Sequence, residues 1–324
     1  MSQICFSVAA PRTEENMAGE GNGLAELPRI ALIGAGIFAR TQYIPRLREI
    51  AHLVVLKAIW SRTQESAKAA AELARDFAPD IECKWGDAGL EEIMGDSSIM
   101  GVAVVLAGQV QVELSLKMLK AGKHVIQATT EAETALSIYN SFPNQFPDKP
   151  IWAVGENYRF EPAFIESSKL INDIGDMMHI QVIIEGSMNS SNPYFNSTWR
   201  RNFVGGFILD MGVHFIAGLR MILWRVDGTK GTIQVERGVD SGKHGYQVLF
   251  SGENGQCQKT FYPFCGVNEE LKTFVHDMLA AGKDGDHKAE PRSSYVEGAR
   301  DVAVLEAMLE SSAKQGAPVH VKRF

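Results

Sequence analysis

The chain has 324 residues, of which 45% are apolar, enough for one large domain or two smaller domains with separate cores. Its 39 acidic and 32 basic side chains give a formal net charge of −7, and no long run of Lys or Arg is present. This balance argues against a nucleic-acid surface and a basic membrane patch. We therefore expect two domains and a small-molecule partner, with no nucleic acid and no membrane.

The four cysteines are far apart and form no C-x-x-C pair: Cys5, Cys83, Cys257 and Cys265. The sequence therefore predicts neither a zinc site nor a disulfide framework, as is typical of a cytoplasmic protein. No run approaches the roughly 18 apolar residues of a membrane span. Residues 1–27 lack the apolar core of a secretory signal and are predicted to be a flexible extension, with Met17 a conceivable alternative start. An organelle transit peptide is the alternative.

From residue 29, short apolar runs alternate with helical patterns. The runs cover residues 30–33, 53–60, 101–106, 124–126 and 151–154, and helical patterns follow the first four of them, through Ile50 and at 65–77, 110–122 and 131–142. Buried β-branched runs separated by amphipathic helices are typical of a parallel sheet. Residues 28–155 are therefore predicted to form an α/β domain with a doubly wound, Rossmann-type parallel sheet.

After residue 156 the runs alternate polar with apolar positions and are joined by Gly, Asn and Asp turns, as in residues 179–187, 231–237, 246–251 and 258–264. This pattern predicts an open, mostly antiparallel sheet in an α+β domain spanning residues 156–324. Helical patterns near 160–174, 211–224, 268–281 and 294–314 are expected to cover one face of this sheet.

The string GAGIFA follows the first strand and precedes a helix. Gly34 can make the tight turn, Gly36 lets the backbone approach a diphosphate, and Ala39 keeps the helix close to the sheet. The helix start, with Ile37 and Phe38, offers free N–H groups and a positive dipole end to phosphates. This context predicts dinucleotide binding, the alternative being an ordinary strand-to-helix turn.

The second strand is followed by Ser61 and Arg62, and no acid appears before Glu65. An Asp or Glu at this place usually reads the ribose of NAD. A guanidinium and a hydroxyl can instead bind a 2′-phosphate, so NADP is favoured while NAD stays possible. Alternatively, Arg62 is a solvated loop cation or stacks on adenine.

The string WRRNFVGGFILDMGVH contains the main candidates for catalysis. With a helix starting near Leu209, Asp210 and His214 share one face, where the imidazole can transfer a proton and the carboxylate can orient it or the substrate. Alternatively, Asp210 caps the helix and His214 is an interior histidine. The pair also resembles half of a metal site, but no further ligand cluster supports a metal.

Other candidate substrate contacts lie on either side of the expected crevice: Asn157, Tyr158, Arg159, Trp199 and Arg200. The first three follow the last parallel strand, whose carboxyl end faces the cofactor. Arg159 and Glu161 can equally bridge the two domains. Trp199 can equally be a core or subunit-interface aromatic.

Several motifs in this order resemble the glucose-fructose oxidoreductase/inositol dehydrogenase/MocA (Gfo/Idh/MocA) family: GAGIFA, GKHV at 122–125, N-x-R-x-x-P at 157–162, GG-x-x-x-D-x-G-x-H at 205–214 and GTKGT at 228–232. The resemblance extends from about residue 28 to the C-terminus and is strongest to eukaryotic cytosolic members. It implies hydride transfer between NAD(P)(H) and a carbinol or carbonyl carbon of a sugar, inositol or related diol. It also implies a homodimer or homotetramer, paired through the open sheet.

The chain departs from the family pattern after GKHV, where members usually carry an E-K-P segment whose lysine is the expected acid/base partner. Thr129 stands near that place, or a few residues are missing between Gln127 and Glu131. Relatives also place several strands between the helix of GVHFIAGLRMILW and RVDGTKGTIQV. These gaps suggest a shortened second domain, from a splice variant or an imperfect gene model, and crippled turnover.

Two functions are therefore expected. The first is an NADP(H)-preferring oxidoreductase in which His214 is the surviving proton-transfer group and Asp210 its orienter. The second is a non-catalytic nucleotide-binding or interaction protein that has lost its acid/base group.

Overall fold

A computed structural model describes residues 26–127, 133–141, 149–183, 194, 206–221, 224–283 and 287–324. These residues form two sheets with helices around them. Among them, no helix combines the length and apolar character needed to cross a membrane.

The first sheet has six parallel strands in the order β3-β2-β1-β4-β5-β6. The strands are β1 Arg29–Ile33, β2 Val55–Ser61, β3 Glu82–Trp85, β4 Ile99–Val104, β5 His124–Gln127 and β6 Trp152–Val154. A π-helical turn, Ala39–Tyr43, leads into α1, Ile44–Glu49; the other helices are α2 Gln64–Glu72, α3 Gly86–Gly95, α4 Gly108–Lys120 and α5 Glu133–Asn140. The strand order reverses between β1 and β4, which is where such sheets bind their ligands.

The second sheet has five antiparallel strands in the order β11-β10-β9-β8-β7. The strands are β7 Met177–Gln181, β8 Arg225–Gly228, β9 Gly231–Asp240, β10 Lys243–Gly252 and β11 Cys257–Pro263. Ser241 and Gly242, with φ of 48° and 78°, form the two-residue turn between β9 and β10. The predicted fold class, a Rossmann-type parallel sheet followed by an open antiparallel sheet, is confirmed.

Four helices follow the first sheet in the chain: α6 Pro162–Leu170, α7 Gly206–Met221, α8 Gly266–Ala281 and α9 Tyr295–Ala313. Helix α6 packs against the second sheet, where Phe164 shares a core with Val235 and Val248. Helix α7 begins at Gly206, so the predicted start near Leu209 is three residues late, because the second glycine of the pair is itself helical.

The prediction that helices 268–281 and 294–314 cover the second sheet is wrong. Phe274 and Met278 of α8 lie in the core of the first sheet beside Leu32. On the other face of that sheet, Tyr295 of α9 stacks on Trp152, with ring centroids 3.7 Å apart. An apolar face in the sequence shows that a helix packs against something, but not which sheet it packs against. A parallel sheet is usually packed against helices on both of its faces. The predicted boundary at residue 156 therefore does not separate two cores in the chain.

Three elements were missed by the sequence analysis, namely β3, α3 and β8. Strand β7 ends at Gln181, and residues 184–187 of its predicted extension lie outside the described residues. So do the extension to residue 25 and residues 128–132, the place of the predicted departure from the family pattern.

Candidate functional site

The glycine turn after β1 has a conformation that only glycine adopts easily. Gly34 has φ +126°, and a Cβ built there lies 2.1 Å from the carbonyl oxygen of Val105. Its N–H donates to the carbonyl of Trp60 over 2.9 Å, and Val105 N–H donates to Ile33 over 2.8 Å. The turn is therefore held between the carboxyl ends of β2 and β4.

Gly36 lies two residues further along and has a different environment. A Cβ built at Gly36 meets no atom within 4 Å, so open space lies in front of it. Arg40 N–H donates to the Gly36 carbonyl over 3.1 Å, and helical hydrogen bonding starts here. Ile37 is 41% exposed and Ala39 is fully buried against the sheet. The space and the N–H groups of a first helical turn fit the diphosphate of a dinucleotide.

The carboxyl end of β2 places Ser61 and Arg62 at the same edge of the sheet as the glycine turn. Ser61 is half-buried and Arg62 is exposed. Thr63 caps α2 by accepting from Ser66 N–H over 3.3 Å, which fixes where the chain turns. In the part of the chain that the structure describes, Arg62 has no hydrogen-bond or ion-pair partner. Its guanidinium is therefore available to a ligand.

His214, on helix α7, is paired with a carboxylate that the sequence analysis did not single out. Its Nδ1 lies 2.8 Å and 2.9 Å from the two carboxylate oxygens of Glu156. The His214 side chain is 21% exposed and that of Glu156 only 3%. With Nδ1 donating to Glu156, a neutral imidazole carries its acceptor lone pair on Nε2. This arrangement allows an oriented histidine to exchange a proton.

The expected orienter, Asp210, lies on α7, but its side chain is outside the described residues. The described partner of His214 is Glu156, which follows β6 by two residues. The string ENYRF directly after the last parallel strand was the available signal, since that strand end faces the crevice. Among the described residues, no three His, Cys, Asp or Glu side chains are grouped to hold a metal ion.

Buried carboxyl groups surround Glu156. Glu270 of α8 is 2% exposed, and its Oε2 has no hydrogen-bond partner among the described residues. Burial, followed by the charges of Glu156 and Glu161, holds the pKa of Glu270 well above its usual value. Burial also raises the pKa of Tyr43, with the charges of Glu270 and Glu156 adding to it. The raised pKa favours the neutral form of the Glu270 carboxyl.

Arg159 has the contacts of a bridge between parts of the chain. It forms a buried ion pair with Asp301 of α9 and donates to the carbonyls of Arg292 and Glu297 over 3.1 Å each. Its side chain is 3% exposed. Glu161 similarly accepts from Cys265 N–H over 3.2 Å at the start of α8. These contacts favour the bridging alternative over substrate contact for Arg159.

Tyr158 stays close to the histidine. Its ring centroid lies 5.8 Å from that of His214, and its hydroxyl accepts from Arg237 Nη2 over 2.8 Å. Trp199 and Arg200, the remaining candidate substrate contacts, lie outside the described residues.

Residues 28–151 match the Gfo/Idh/MocA family, described as an oxidoreductase family with an NAD-binding Rossmann fold. The chain is similar to dehydrogenase FPY6 of Fusarium mangiferae, with 31% identity over 90% of this chain and 99% of that protein. It is 26% identical to scyllo-inositol 2-dehydrogenase (NADP(+)) IolW of Bacillus subtilis, over 61% of this chain and 52% of that protein.

Among solved structures, levoglucosan dehydrogenase in complex with NADH matches with a TM-score of 0.65 at 17% identity, covering 91% of this chain and 99% of that chain. Three observations indicate the same family: the fold, the glycine turn at the point where the strand order reverses, and the similarity to a dehydrogenase over 90% of this chain. The chain belongs to the Gfo/Idh/MocA oxidoreductase family of nicotinamide-cofactor enzymes.

Proposed function

We propose that this chain transfers a hydride between NADP(H) and a carbinol or carbonyl carbon of a sugar, polyol or related diol. When bound, the nicotinamide supplies or accepts the hydride. The observation that carries the proposal is the pairing of His214 with the buried Glu156, because an oriented imidazole serves the proton transfer that accompanies hydride transfer.

The cofactor would be held at the carboxyl ends of β1 and β2. Gly34 forms the tight turn, and Gly36, Ile37, Phe38 and Ala39 would present backbone N–H groups to the diphosphate. The open space at Gly36 supports this fit.

The preference for NADP rests on Ser61 and Arg62. The exposed guanidinium of Arg62 would bind a 2′-phosphate, and the Ser61 hydroxyl would add a hydrogen bond. The name of the Bacillus inositol dehydrogenase includes NADP(+), whereas the levoglucosan dehydrogenase structure contains NADH, so these two similar proteins differ in cofactor.

His214 would give its proton to the developing alkoxide when a carbonyl is reduced, and take it back when an alcohol is oxidised. Glu156 would hold the imidazole in one orientation and stabilise the imidazolium form. Because the sequence has no E-K-P lysine after GKHV, this pair would do the acid/base work without it. A sugar or polyol substrate fits the names of the inositol and levoglucosan dehydrogenases. Asp210 remains a proposed orienter of the imidazole or the substrate, and Trp199 and Arg200 remain proposed substrate contacts.

The test has two measurements. Fluorescence measures the binding of NADPH and NADH, and a turnover assay uses a panel of sugars, inositols and dicarbonyls. His214→Asn should lower kcat/KM by about 10² to 10⁴ while NADPH still binds. His52→Asn is the matched control, because His52 is exposed and lies outside the strands and helices of the site. NADPH binding without turnover by the unaltered chain would instead support a non-catalytic nucleotide-binding protein, and reinserting E-K-P after Gln127 should then restore activity. No binding of either nucleotide would contradict both functions.

The scattered cysteines support a cytoplasmic location. The exposed apolar side chains of β7, including Met178 at 71% exposure, support association of two or four copies through the second sheet.

A further inference from the structure

A cavity lies apart from the glycine turn, between helix α1 and the second sheet. Its volume is about 180 Å³, and its walls come from α1, the 3₁₀ turn Asn157–Phe160, strands β9 and β10, and the start of α8. Neither the glycine turn nor His214 is among the residues that line it. The proposed function assigns nothing to this cavity.

Two guanidinium groups from different elements line the cavity. Arg46 comes from α1, and Arg237 comes from β9 of the second sheet. Arg46 Nη1 donates to Glu49 over 2.6 Å, and Arg237 Nη2 donates to Tyr158 over 2.8 Å. Arg237 also hydrogen-bonds Tyr246. A guanidinium has five N–H donors in a fork that matches carboxylate, so these bonds still leave further donors for a ligand. Two such groups facing one cavity favour an anion.

The size of the cavity limits what it can hold. A volume of 180 Å³ corresponds to about six water molecules and suits a small organic acid better than a dinucleotide. Tyr246, Phe264 and Val267 provide an aromatic and apolar wall for a carbon skeleton, and the Gln42 amide can bond a hydroxyl. We propose that this cavity binds a small hydroxylated carboxylate, held between the guanidinium groups of Arg46 and Arg237.

Glu161 adds a titrating group to the same cavity. Burial raises its pKa to about 7, against hydrogen bonds from Cys265, Gly266 and Asn157 and the charge of Arg46, which lower it. The charged or titratable groups that face it come from α1, α8 and the second sheet: Arg46, Cys265, Glu270, Arg237 and Tyr246. A carboxylate ligand is repelled by ionised Glu161 and not by its neutral form. Binding should therefore be tighter below pH 7 than above it.

The ligand would contact both structural units at once, because Arg46 belongs to the first sheet's helices and Arg237 to the second sheet. Tyr158 separates this cavity from His214, lining the former and lying 5.8 Å from the latter by ring centroids. The acid should therefore bind without displacing NADPH.

The test is isothermal titration of the full chain with glycerate, lactate and malonate at constant ionic strength, with glycerol and inorganic phosphate as comparison probes. We expect saturable binding of at least one of the three acids and none of glycerol. Arg46→Met and Arg237→Met should each weaken binding at least tenfold. Arg225→Met is the matched control, because Arg225 lies on the neighbouring strand β8 and does not line the cavity. Absence of saturable binding by all three acids, or equal binding by all variants, would overturn the proposal.

A second measurement does not depend on the arginine variants folding. Binding by the unaltered chain should be several-fold tighter at pH 6 than at pH 8, and Glu161→Gln should remove that difference. Equal affinity at both pH values would overturn the role of Glu161 in this site. NADPH binding and turnover, measured on the same preparations, separate this result from the proposed function. His214→Asn should lose turnover and still bind the acid.

Discussion

The two sheets of this protein are covered in different ways. The first is enclosed on both faces, and two of its covering helices, α8 and α9, come from the end of the chain. The second packs one face against α6, while β7 at its edge exposes Met177 and Met178 at 50% and 71%. The chain thus crosses between the two structural units several times, so neither unit is a continuous segment.

The boundary between the units is accordingly polar and buried. Glu156, Arg159 and Glu161 all follow β6, and each contacts a different later helix: His214 on α7, Asp301 on α9 and Cys265 at the start of α8. A flexible linker would place such groups in water. Here they are desolvated, so we expect the largest effects of substitution at this boundary and the smallest at the exposed Arg62.

Asp301→Ala should have the largest effect on stability. It leaves the buried guanidinium of Arg159 without its carboxylate, at an expected cost of about 3–5 kcal/mol in the free energy of unfolding. Glu310→Ala, on the same helix, breaks an exposed pair with Lys314 and should cost less than about 1 kcal/mol. Denaturant unfolding of both variants provides the measurement. Equal free energies of unfolding for the two variants would mean that the buried Arg159–Asp301 pair does not stabilise the boundary between the two units.

Gly34→Ala should destabilise the first unit by about 3 kcal/mol or more, because its Cβ meets the Val105 carbonyl and its φ is positive. A Cβ at Gly36 meets no atom within 4 Å, so Gly36→Ala should change the free energy of unfolding by less than about 0.5 kcal/mol. NADPH should nevertheless bind Gly36→Ala at least about tenfold more weakly, a loss of about 1.4 kcal/mol. Thermal unfolding and NADPH titration of the two variants separate a folding role from a binding role. Unchanged NADPH affinity in Gly36→Ala would contradict the proposed cofactor contact.

Glu161 should make stability depend on pH. Its pKa is raised from 4.5 to about 7, so the folded chain binds a proton that the unfolded chain has released. The stability associated with that proton is fully present below pH 4.5 and is lost as pH rises through 7, by up to about 3 kcal/mol. Glu161→Gln should not show this loss. Unfolding free energies of both chains at pH 5 and pH 8 give the difference, and a pH-independent difference between the two chains would contradict the assignment.

Arg62→Leu should have the smallest effect, confined to cofactor choice. Loss of the guanidinium should weaken NADPH binding about tenfold, or about 1.4 kcal/mol, and leave NADH binding nearly unchanged. Arg75→Leu is the matched control, since Arg75 is exposed three residues after α2 and pairs only with Glu72 among the described contacts. An equal loss for both cofactors would show that Arg62 stacks on adenine rather than binding a 2′-phosphate.

Much of the fold could be predicted from local pattern. The apolar runs that became β1, β2, β4, β5 and β6 are recognisable because strands covered on both faces are apolar throughout. The glycine turn could be predicted because Gly34 adopts a conformation that other residues resist. Strand β3, with the sequence ECKW, was missed because an edge strand with half-buried side chains shows no apolar run.

The candidate site was only partly predictable. His214 was recognised from its motif, but its partner Glu156 is 58 residues away in the chain and has no periodic relation to it. From sequence, Arg159 could either contact the substrate or bridge the two domains. Its burial beside Asp301, 142 residues away in the chain, favours the bridging role.

By itself, the sequence determined the alternation of strands and helices, the glycine turn, and the absence of an acid directly after β2, since each depends on neighbouring residues. Only the tertiary structure decided which sheet α8 and α9 cover, which carboxylate faces His214, and that Arg46 and Arg237 line one cavity. These outcomes depend on contacts between distant segments, and the burial that raises the pKa of Glu161 and Glu270 exists only after those segments pack together.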